Sequence, residues 1–589
     1  MRKQQSMDKQ WKLKPAGDER LIKKLSSAIN INPVLSGLLV QRGIDSFEQA
    51  KVFFRPSLHD LHNPFLMKDM DKAIFRIEKA LENDERILIY GDYDVDGTTA
   101  VALVYSFLQK RTNNISFYIP DRNSEGYGIS FKAIDYAADN EIALVIALDC
   151  GIKDVKKISY ANSKNIDFII CDHHTPGNEL PDAVAVLDPK RNNCEYPFKE
   201  LSGCGIGYKL LQAFTMKNKN AEHELLQNID LVAISTAADI VPVTGENRIF
   251  MYYGLKKINI SPRVGIEALL KSSGINRIEL NEEKPETVFS RLVNVHDLVF
   301  VISPRINAAG RMESGEKSVE LLISDDETKA NELAKSIEEN NKQRKSIEEQ
   351  TITEALEMIK NDFEYAKQKA TIVYNPSWHK GVIGIVASRL IENVYRPTIV
   401  FTLSNGLITG SARSVKNFDI YNAIEACSEL LENFGGHKYA AGLSMKPENF
   451  ENFKQKFNEV VASTIGEDSL TPELTIDSEL DMKLISPEFY NVLKQFSPFG
   501  PGNMTPVFLS RGVTDKGFAK IVKEKHLKMN IVFPGSKNMS YDAIAFDHSI
   551  HYENVSNKKC FNICYTIEEN EWNSEKKIQL KIKDISFKD

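Results

Sequence analysis

The sequence predicts an α/β multidomain chain: a parallel sheet, a long connecting helix, a second α/β region and a C-terminal β-barrel. Three observations predict it. Between about residues 85 and 190, short apolar runs rich in β-branched residues alternate with helical patterns. Residues 317–361 are charged, lack Gly and Pro, and carry Leu and Ile at helical spacing. From about 468 onward the runs are short and strand-like, as in "TPVFLSRGV", "LKMNIVF", "DAIAFD" and "KKIQLKIKDISF". Expected bounds are 1–80, 81–315, 316–365, 366–465 and 466–589.

Residues 1–80 read as helical and peripheral, from "LIKKLSSAI" and "DMDKAIFRIEKALEN". The runs "RILIYG", "ISFYIP", "IALVIALD", "DFIICD" and "AVAVLDP" are nearly continuous apolar strands. Strands of that kind belong to a parallel sheet covered on both faces. Such sheets collect ligands beyond their carboxyl ends. Residues 317–361 form one or two long helices between lobes, without the sustained apolar heptads of a coiled coil. "KATIVYN" and "RPTIVFT" are strands of the second α/β region.

Composition narrows the class. Of 589 residues, 42% are apolar and 26% charged, ordinary values for a globular chain. No apolar run reaches the roughly 18 residues of a membrane span, and the basic start lacks the apolar core of a secretory signal. Seven scattered cysteines without a CxxC spacing predict reduced thiols and a cytoplasmic chain. A net charge of −7 rules out a general nucleic-acid coat but not a local basic groove.

The chemistry lies in the acids. "GDYDVDG" (91–97) follows the first strand and precedes a helix expected to open at Thr98. In an extended chain Asp92, Asp94 and Asp96 would face one side and repel. The next strands end in Asp149 and in Asp172–His173–His174, and Asp239 closes an apolar helical run. Turn and helix-cap duties would account for one such acid, but not for acids and imidazoles at successive strand ends. Carboxylates and neutral imidazoles in one crevice suit Mn²⁺ or Mg²⁺. Two divalent ions would relieve the repulsion and stabilise both the entering and the departing oxygen of a phosphoryl displacement. Adjacent histidines do not easily share a metal, so His173 is assigned to the metal and His174 to substrate or proton duties.

"PRINAAGR" carries Arg305, Asn307 and Arg311; "GSARS" carries Ser411 and Arg413; "FGGHKYAAG" carries Gly435, Gly436 and His437. Arginine forks and closely approaching glycines suit phosphate oxygens. A surface or interlobe ion pair is the plainer alternative for any one arginine. "GCGIGYKL" (203–210) has the wrong spacing for a phosphate loop, with Leu210 where Ser or Thr is needed. It reads as a turn before a helix, and no nucleoside triphosphate is expected. "KGFAKIVKEKHLK" (516–528) sets Phe518 among lysines, as on a single-strand-binding barrel or a plain solvated hairpin. "FSPFGPGN" (496–503) reads as a rigid turn between lobes.

These stretches resemble, in order and over about residues 35 to 550, the RecJ exonucleases of the DHH phosphoesterase superfamily. "YPFKELSGCGIGYKL", "TAADIVPVTGENR", "SWHKGVIGIVASRL" (with Arg389), "FGGHKYAAGLSM" and "FSPFGPGNMTPVF" extend the match beyond the acidic motifs. The resemblance implies a DHH domain, a DHHA1 domain and an OB-like domain. It implies 5′→3′ hydrolysis of single-stranded DNA to 5′-mononucleotides, in repair and recombination. Asp94, Asp96, Asp149, His173 and Asp239 would hold two divalent ions, Mn²⁺ or Mg²⁺, with Asp149 bridging and Asp92 nearby. A water activated between the ions would attack phosphorus in line, and the 3′ oxygen would leave. Arg122 with Ser411 and Arg413 would hold the 5′ end; Arg305, Asn307, Arg311, Arg389, Gly436 and His437 would grip the strand. Some relatives carry His where this chain has Tyr90, which predicts weaker binding of one ion. By family role the partners are a RecQ-type helicase and a single-strand binding protein, the chain being a monomer. Two alternatives stand beside this reading: an oligoribonuclease or dinucleotide phosphodiesterase of the same superfamily, and a catalytically silent replication scaffold.

Overall fold

The computed structural model describes residues 9–122, 124–218, 222–278, 286–362, 365, 367–533, 539–572 and 575–588; the basic opening stretch 1–8 lies outside them. The chain divides into two units. One is Lys51–Arg344 with Pro498–Met504; the other is Met1–Ala50, Lys345–Ser497 and Thr505–Asp589.

The first unit is built on a five-stranded sheet: β1 (Ile87–Gly91), β2 (Ile115–Tyr118), β3 (Leu144–Leu148), β4 (Asp167–Cys171) and β5 (Ala185–Leu187). All neighbours are parallel, in the order β2-β1-β3-β4-β5. Successive residues face opposite cores, as period 2 requires. Ile87, Ile89, Ile146, Leu148 and Ile169 enter one apolar cluster, while Leu88, Tyr90, Val145, Ala147 and Ile170 enter another. The order reverses between β1 and β3. That switch point is where a parallel sheet opens a crevice at its carboxyl edge.

Helices that shape the crevice are α1 (Met70–Glu82), α2 (Val95–Leu108), α3 (Gly203–Lys217), α4 (Ile229–Ala238) and α5 (Ser303–Met312). Several expectations need correction here. The N-terminal stretch is not peripheral throughout, because α1 buries Met70, Ala73, Ile74, Ile77 and Ala80 in the first core. It is not wholly helical either, since Gln10–Leu13 is a strand paired in parallel with Glu473–Ile476. Finally, α2 opens at Val95 rather than Thr98, and "GCGIGYKL" is itself the start of α3, capped by Ser202. Lys209 within it is fully buried, 2.9 Å from Glu246, and donates to the His62 carbonyl.

The connecting stretch forms two helices, Glu316–Ile323 and the 35-residue α6 (Glu327–Asn361). In the second unit a five-stranded sheet comprises β6 (Thr371–Tyr374), β7 (Thr398–Ser404), β8 (Leu407–Arg413), β9 (Asn433–His437) and β10 (Ala440–Met445). Its order is β9-β10-β8-β7-β6, and only β6–β7 is parallel. The segments "GSARS" and "FGGHKYAAG", taken from sequence for phosphate contacts alone, are thus strands as well. Helix α7 (Ile383–Asn393) carries Arg389.

The last strands are β11 (Phe508–Asp515), β12 (His526–Val532), β13 (Tyr541–Ala545), β14 (Phe561–Trp572) and β15 (Glu575–Ser586). β11 pairs with β14, β14 with β15, β15 in parallel with β13, and β13 with β12. Two couples, Thr514–Val532 and Asp515–Ile531, return β12 to β11. That is the partly open barrel expected of an OB-like domain. Among the described residues no helix is long and apolar enough to cross a membrane.

Candidate metal centre

Strand register builds the site. Gly91 lies opposite Leu148, Leu148 opposite Cys171, and Cys171 opposite Leu187. The next residue on each of these strands is an aspartate: Asp92, Asp149, Asp172 and Asp188. The ladder continues into them, since Asp149 N–H donates to Cys171 O at 2.8 Å and Asp172 N–H to Leu187 O at 3.0 Å. Four buried acids therefore stand side by side along the carboxyl edge.

"GDYDVDG" does not stay extended, which corrects the one-sided arrangement expected of it. Asp94 caps α2, accepting from Asp96 N–H and Gly97 N–H, and Asp96 lies on the first helical turn. Gly97 permits the fold-back: a Cβ there would stand 2.3 Å from the Asp92 carbonyl oxygen. The helix splits the acids into two sets. Asp92, Asp94 and Asp149 offer ligand atoms within 4.8 Å of one another, and so do Asp96, His173 and Asp239. Asp149, His173 and His174 form a third such set. His173 Nε2 lies 3.2 Å from Asp149 Oδ1, 3.6 Å from Asp239 Oδ2 and 3.7 Å from Asp96 Oδ2, so Asp149 stands between the sets.

Electrostatics separates these acids by duty. Asp172 is buried, yet its carboxyl is held down to about 2, because burial is outweighed by the His174 ring, the Ile152 amide and His173. Its Oδ1 is 2.7 Å from His174 Nδ1, and this contact lifts the imidazole above its usual range against the effect of burial. Asp149 is pushed well up by burial and then by Asp96; Asp92 by burial and then by Asp94. Asp239 rises to about 8 through burial and Asp96. Burial holds His173 below its usual value, hence neutral. Asp92 Oδ1, Asp149 Oδ1 and both ring nitrogens of His173 are buried without a hydrogen-bond partner. Buried polar atoms are nearly always paired. Orphaned carboxylate oxygens facing a neutral imidazole are the donor set a divalent cation requires, so the residues fit the group.

Backbone geometry is strained at the same place. Asp149 has φ +60°, and the β-branched Ile240, next to Asp239, also has φ +60°. A Cβ on Gly203 would stand 2.6 Å from Asp149 Cβ, so only glycine lets α3 approach the acid row.

The other expected residues are placed as follows. Tyr90 donates its hydroxyl to Gly128 O at 2.7 Å, so the phenol is engaged with backbone and offers no ligand to an ion. Arg122 lies over the Tyr93 ring at 5.0 Å. Arg305 is buried, paired with Glu338 at 2.6 Å and donating to Val301 O at 2.7 Å. Asn307 and Arg311 are half-buried on α5, whose Gly310 meets the Tyr93 carbonyl. In the second unit Arg389 pairs with Glu392 at 3.0 Å. Arg413 Nη1 donates to Ser411 Oγ at 3.1 Å, beside Gly384. Gly436 and His437 are exposed on β9. Sequence reasoning missed Asp188, whose carboxyl burial raises to about 7, and Lys190, whose charge acts on Asp239 and His173. It also missed Ser202 and Ser235. The run "AVLDP", ending in an acid like its neighbours, was signal enough for Asp188; no local pattern marks the others.

Comparison with known proteins agrees with this geometry. Residues 86–236 match the DHH family N-terminal domain, 367–463 the DHHA1 domain and 476–584 the RecJ OB domain. The chain is 36% identical over 572 residues to the single-stranded-DNA-specific exonuclease RecJ of Bacillus subtilis, covering 97% of this chain and 70% of that one. It is 32% identical to the Salmonella typhimurium enzyme of the same name, covering 94% and 96%. The chain belongs to the RecJ family of single-stranded-DNA-specific exonucleases. Thermus thermophilus RecJ in complex with Mn²⁺ superposes with a TM-score of 0.81 at 25% identity, over 99% of this chain and 80% of that one. A Mg²⁺ complex of the same RecJ gives 0.76 at 25% identity, over 98% and 78%.

Proposed function

We propose that this RecJ-family chain removes 5′-mononucleotides from the 5′ end of single-stranded DNA by hydrolysis assisted by two divalent ions. One observation carries the reading. Two sets of ligand atoms, Asp92–Asp94–Asp149 and Asp96–His173–Asp239, meet where Asp149 Oδ1 lies 3.2 Å from His173 Nε2, and Asp92, Asp149 and His173 are buried there without hydrogen-bond partners. Asp96, His173 and Asp239 would hold one ion, Asp94 and Asp92 the other, and Asp149 both. Bound there, divalent ions would supply charge neutralisation of a phosphate and a water made acidic enough to attack near neutral pH. The chain's own groups do the rest. Asp172 holds the His174 ring through Nδ1, with the Tyr127 hydroxyl 3.3 Å from Nε2; as the imidazolium, the ring would donate from Nε2 to a phosphate oxygen or to the departing 3′ oxygen. Arg122 and the Ser411–Arg413 pair would each take a backbone phosphate, with Arg311, Asn307, Arg389, Gly436 and His437 as further contacts. On the barrel, exposed Phe518 and Phe546 lie among Lys520, Lys528 and Lys581, a surface suited to stacked, flexible bases. A cytoplasmic monomer working with a RecQ-type helicase and a single-strand binding protein completes the reading; it rests on family role, and sedimentation with each partner checks it.

Digestion with Mn²⁺ of 5′-labelled single strand, 3′-labelled single strand and blunt duplex tests the proposal. The expected result is immediate release of the 5′ label as mononucleotide with duplex spared. Early release of the 3′ label overturns the polarity. Cleavage of dinucleotides alone favours the oligoribonuclease reading.

A further inference from the structure

The Asp96 carboxylate accepts three hydrogen bonds, against two for Asp94. Ser235, fully buried on α4, places Oγ 2.6 Å from Asp96 Oδ1 and 2.6 Å from Ser202 Oγ. A hydroxyl has one proton, and a carboxylate only accepts. Ser235 therefore donates to Asp96, and Ser202 supplies the proton of the second contact. Ser202 Oγ in turn accepts from Gly205 N–H at 3.1 Å. The donors form a one-way chain from Gly205 through Ser202 and Ser235 to Asp96, in which each bond polarises the next. Asp96 Oδ1 also accepts from Cys204 N–H at 2.8 Å, and Oδ2 accepts from Gly203 N–H at 2.7 Å. With about two acceptor positions per oxygen, Oδ1 is full and Oδ2 keeps one, on the side facing His173 and Asp239.

We propose that Ser235 is a positioning residue that, through its chain from Ser202, holds Asp96 so that Oδ2 alone is offered to a divalent cation shared with His173 and Asp239. The proposal rests on the metal reading above. It is not a packing role, because the hydroxyl is spent on the ligand itself. Partners of metal ligands typically govern affinity by about 10- to 100-fold.

The test is titration of Mn²⁺ into the metal-free full chain, followed by the paramagnetic resonance of free Mn²⁺. Parent, S235A, the near-isosteric S235C and S202A are compared, each checked by circular dichroism. In folded S235A and S235C we expect one class of site weakened by about tenfold and the other unchanged. S202A, which leaves the Ser235 proton on Asp96, should lose less. The metal concentration for half-maximal cleavage should rise in parallel while KM for DNA stays fixed. If either folded Ser235 variant binds Mn²⁺ like the parent, the positioning role is overturned. If the parent itself binds no Mn²⁺, the metal reading falls, and this proposal with it.

Discussion

The two ends of helix α4 carry two aspartates with opposite fates, Asp230 buried and Asp239 half-buried. Asp230, in the first turn, meets Arg263 through Nε at 2.8 Å and Nη2 at 2.9 Å, with Lys257 at 3.8 Å. Burial works against its charge, but Arg263 and Lys257 outweigh it and hold the carboxyl below its ordinary value. Asp239, the C-cap, has Asp96 and Asp94 as neighbours and is pushed up to about 8. The helix dipole favours an acid at the first position and opposes one at the second. Within one helix, then, one acid is compensated by the protein and contributes to the fold. The other sits among acids that outweigh His174 and Lys190, and under the proposed reading a bound cation would complete it.

Replacing Asp149, which stands between the two ligand sets, should give the largest effect. Asn tolerates the positive φ at that position better than Ala. Asp149→Asn should lower cleavage by about a thousandfold or more while the metal-free chain stays at least as stable as the parent. Calorimetry sharpens this: the parent should gain about 2.7 kcal/mol at a hundred times the Mn²⁺ dissociation constant, and the variant almost none. An equal gain in both would mean that Asp149 is no ligand.

Arg263→Ala attacks the compensated end. Leaving Asp230 buried and unpaired should cost about 3–5 kcal/mol in denaturant unfolding, with turnover per folded molecule intact. The pH dependence has a definite sign. Because the Asp230 pKa is depressed in the folded state, its contribution is present above the ordinary value near 3.9 and fades as pH falls below it. The variant should lose that part of its acid sensitivity; an unchanged acid limb would discount the pair. Ile240→Gly should give the smallest effect. Ile240 is exposed and held at φ +60°, so glycine should stabilise by about 1 kcal/mol. A fall in Mn²⁺ affinity in the same variant would show that this strain helps to hold Asp239.

Much of this was legible in the chain. Apolar runs ending in Asp92, Asp149 and Asp172 are local patterns, and parallel strands bring such ends together by topology alone. Asp239 was visible because it terminates an apolar helical run. The helical opening of "GDYDVDG" was less legible, since Asp94 as a cap and Gly97 against the Asp92 backbone depend on how α2 packs. The pairing of Arg305 with Glu338 was not legible, because an arginine in a buried ion pair and one poised for phosphate share the same letters.

By itself the sequence determined the layered α/β plan and the acid at the end of each central strand. Periodicity and strand-end residues are properties of neighbours in the chain, so they survive without coordinates. Tertiary structure alone decided which acids are compensated. Arg263 reaches Asp230, while Ser235, Ser202 and the α3 amides reach Asp96, from positions far apart in sequence. A hydrogen bond or ion pair requires atoms within about 3 Å, and only the folded chain sets that distance.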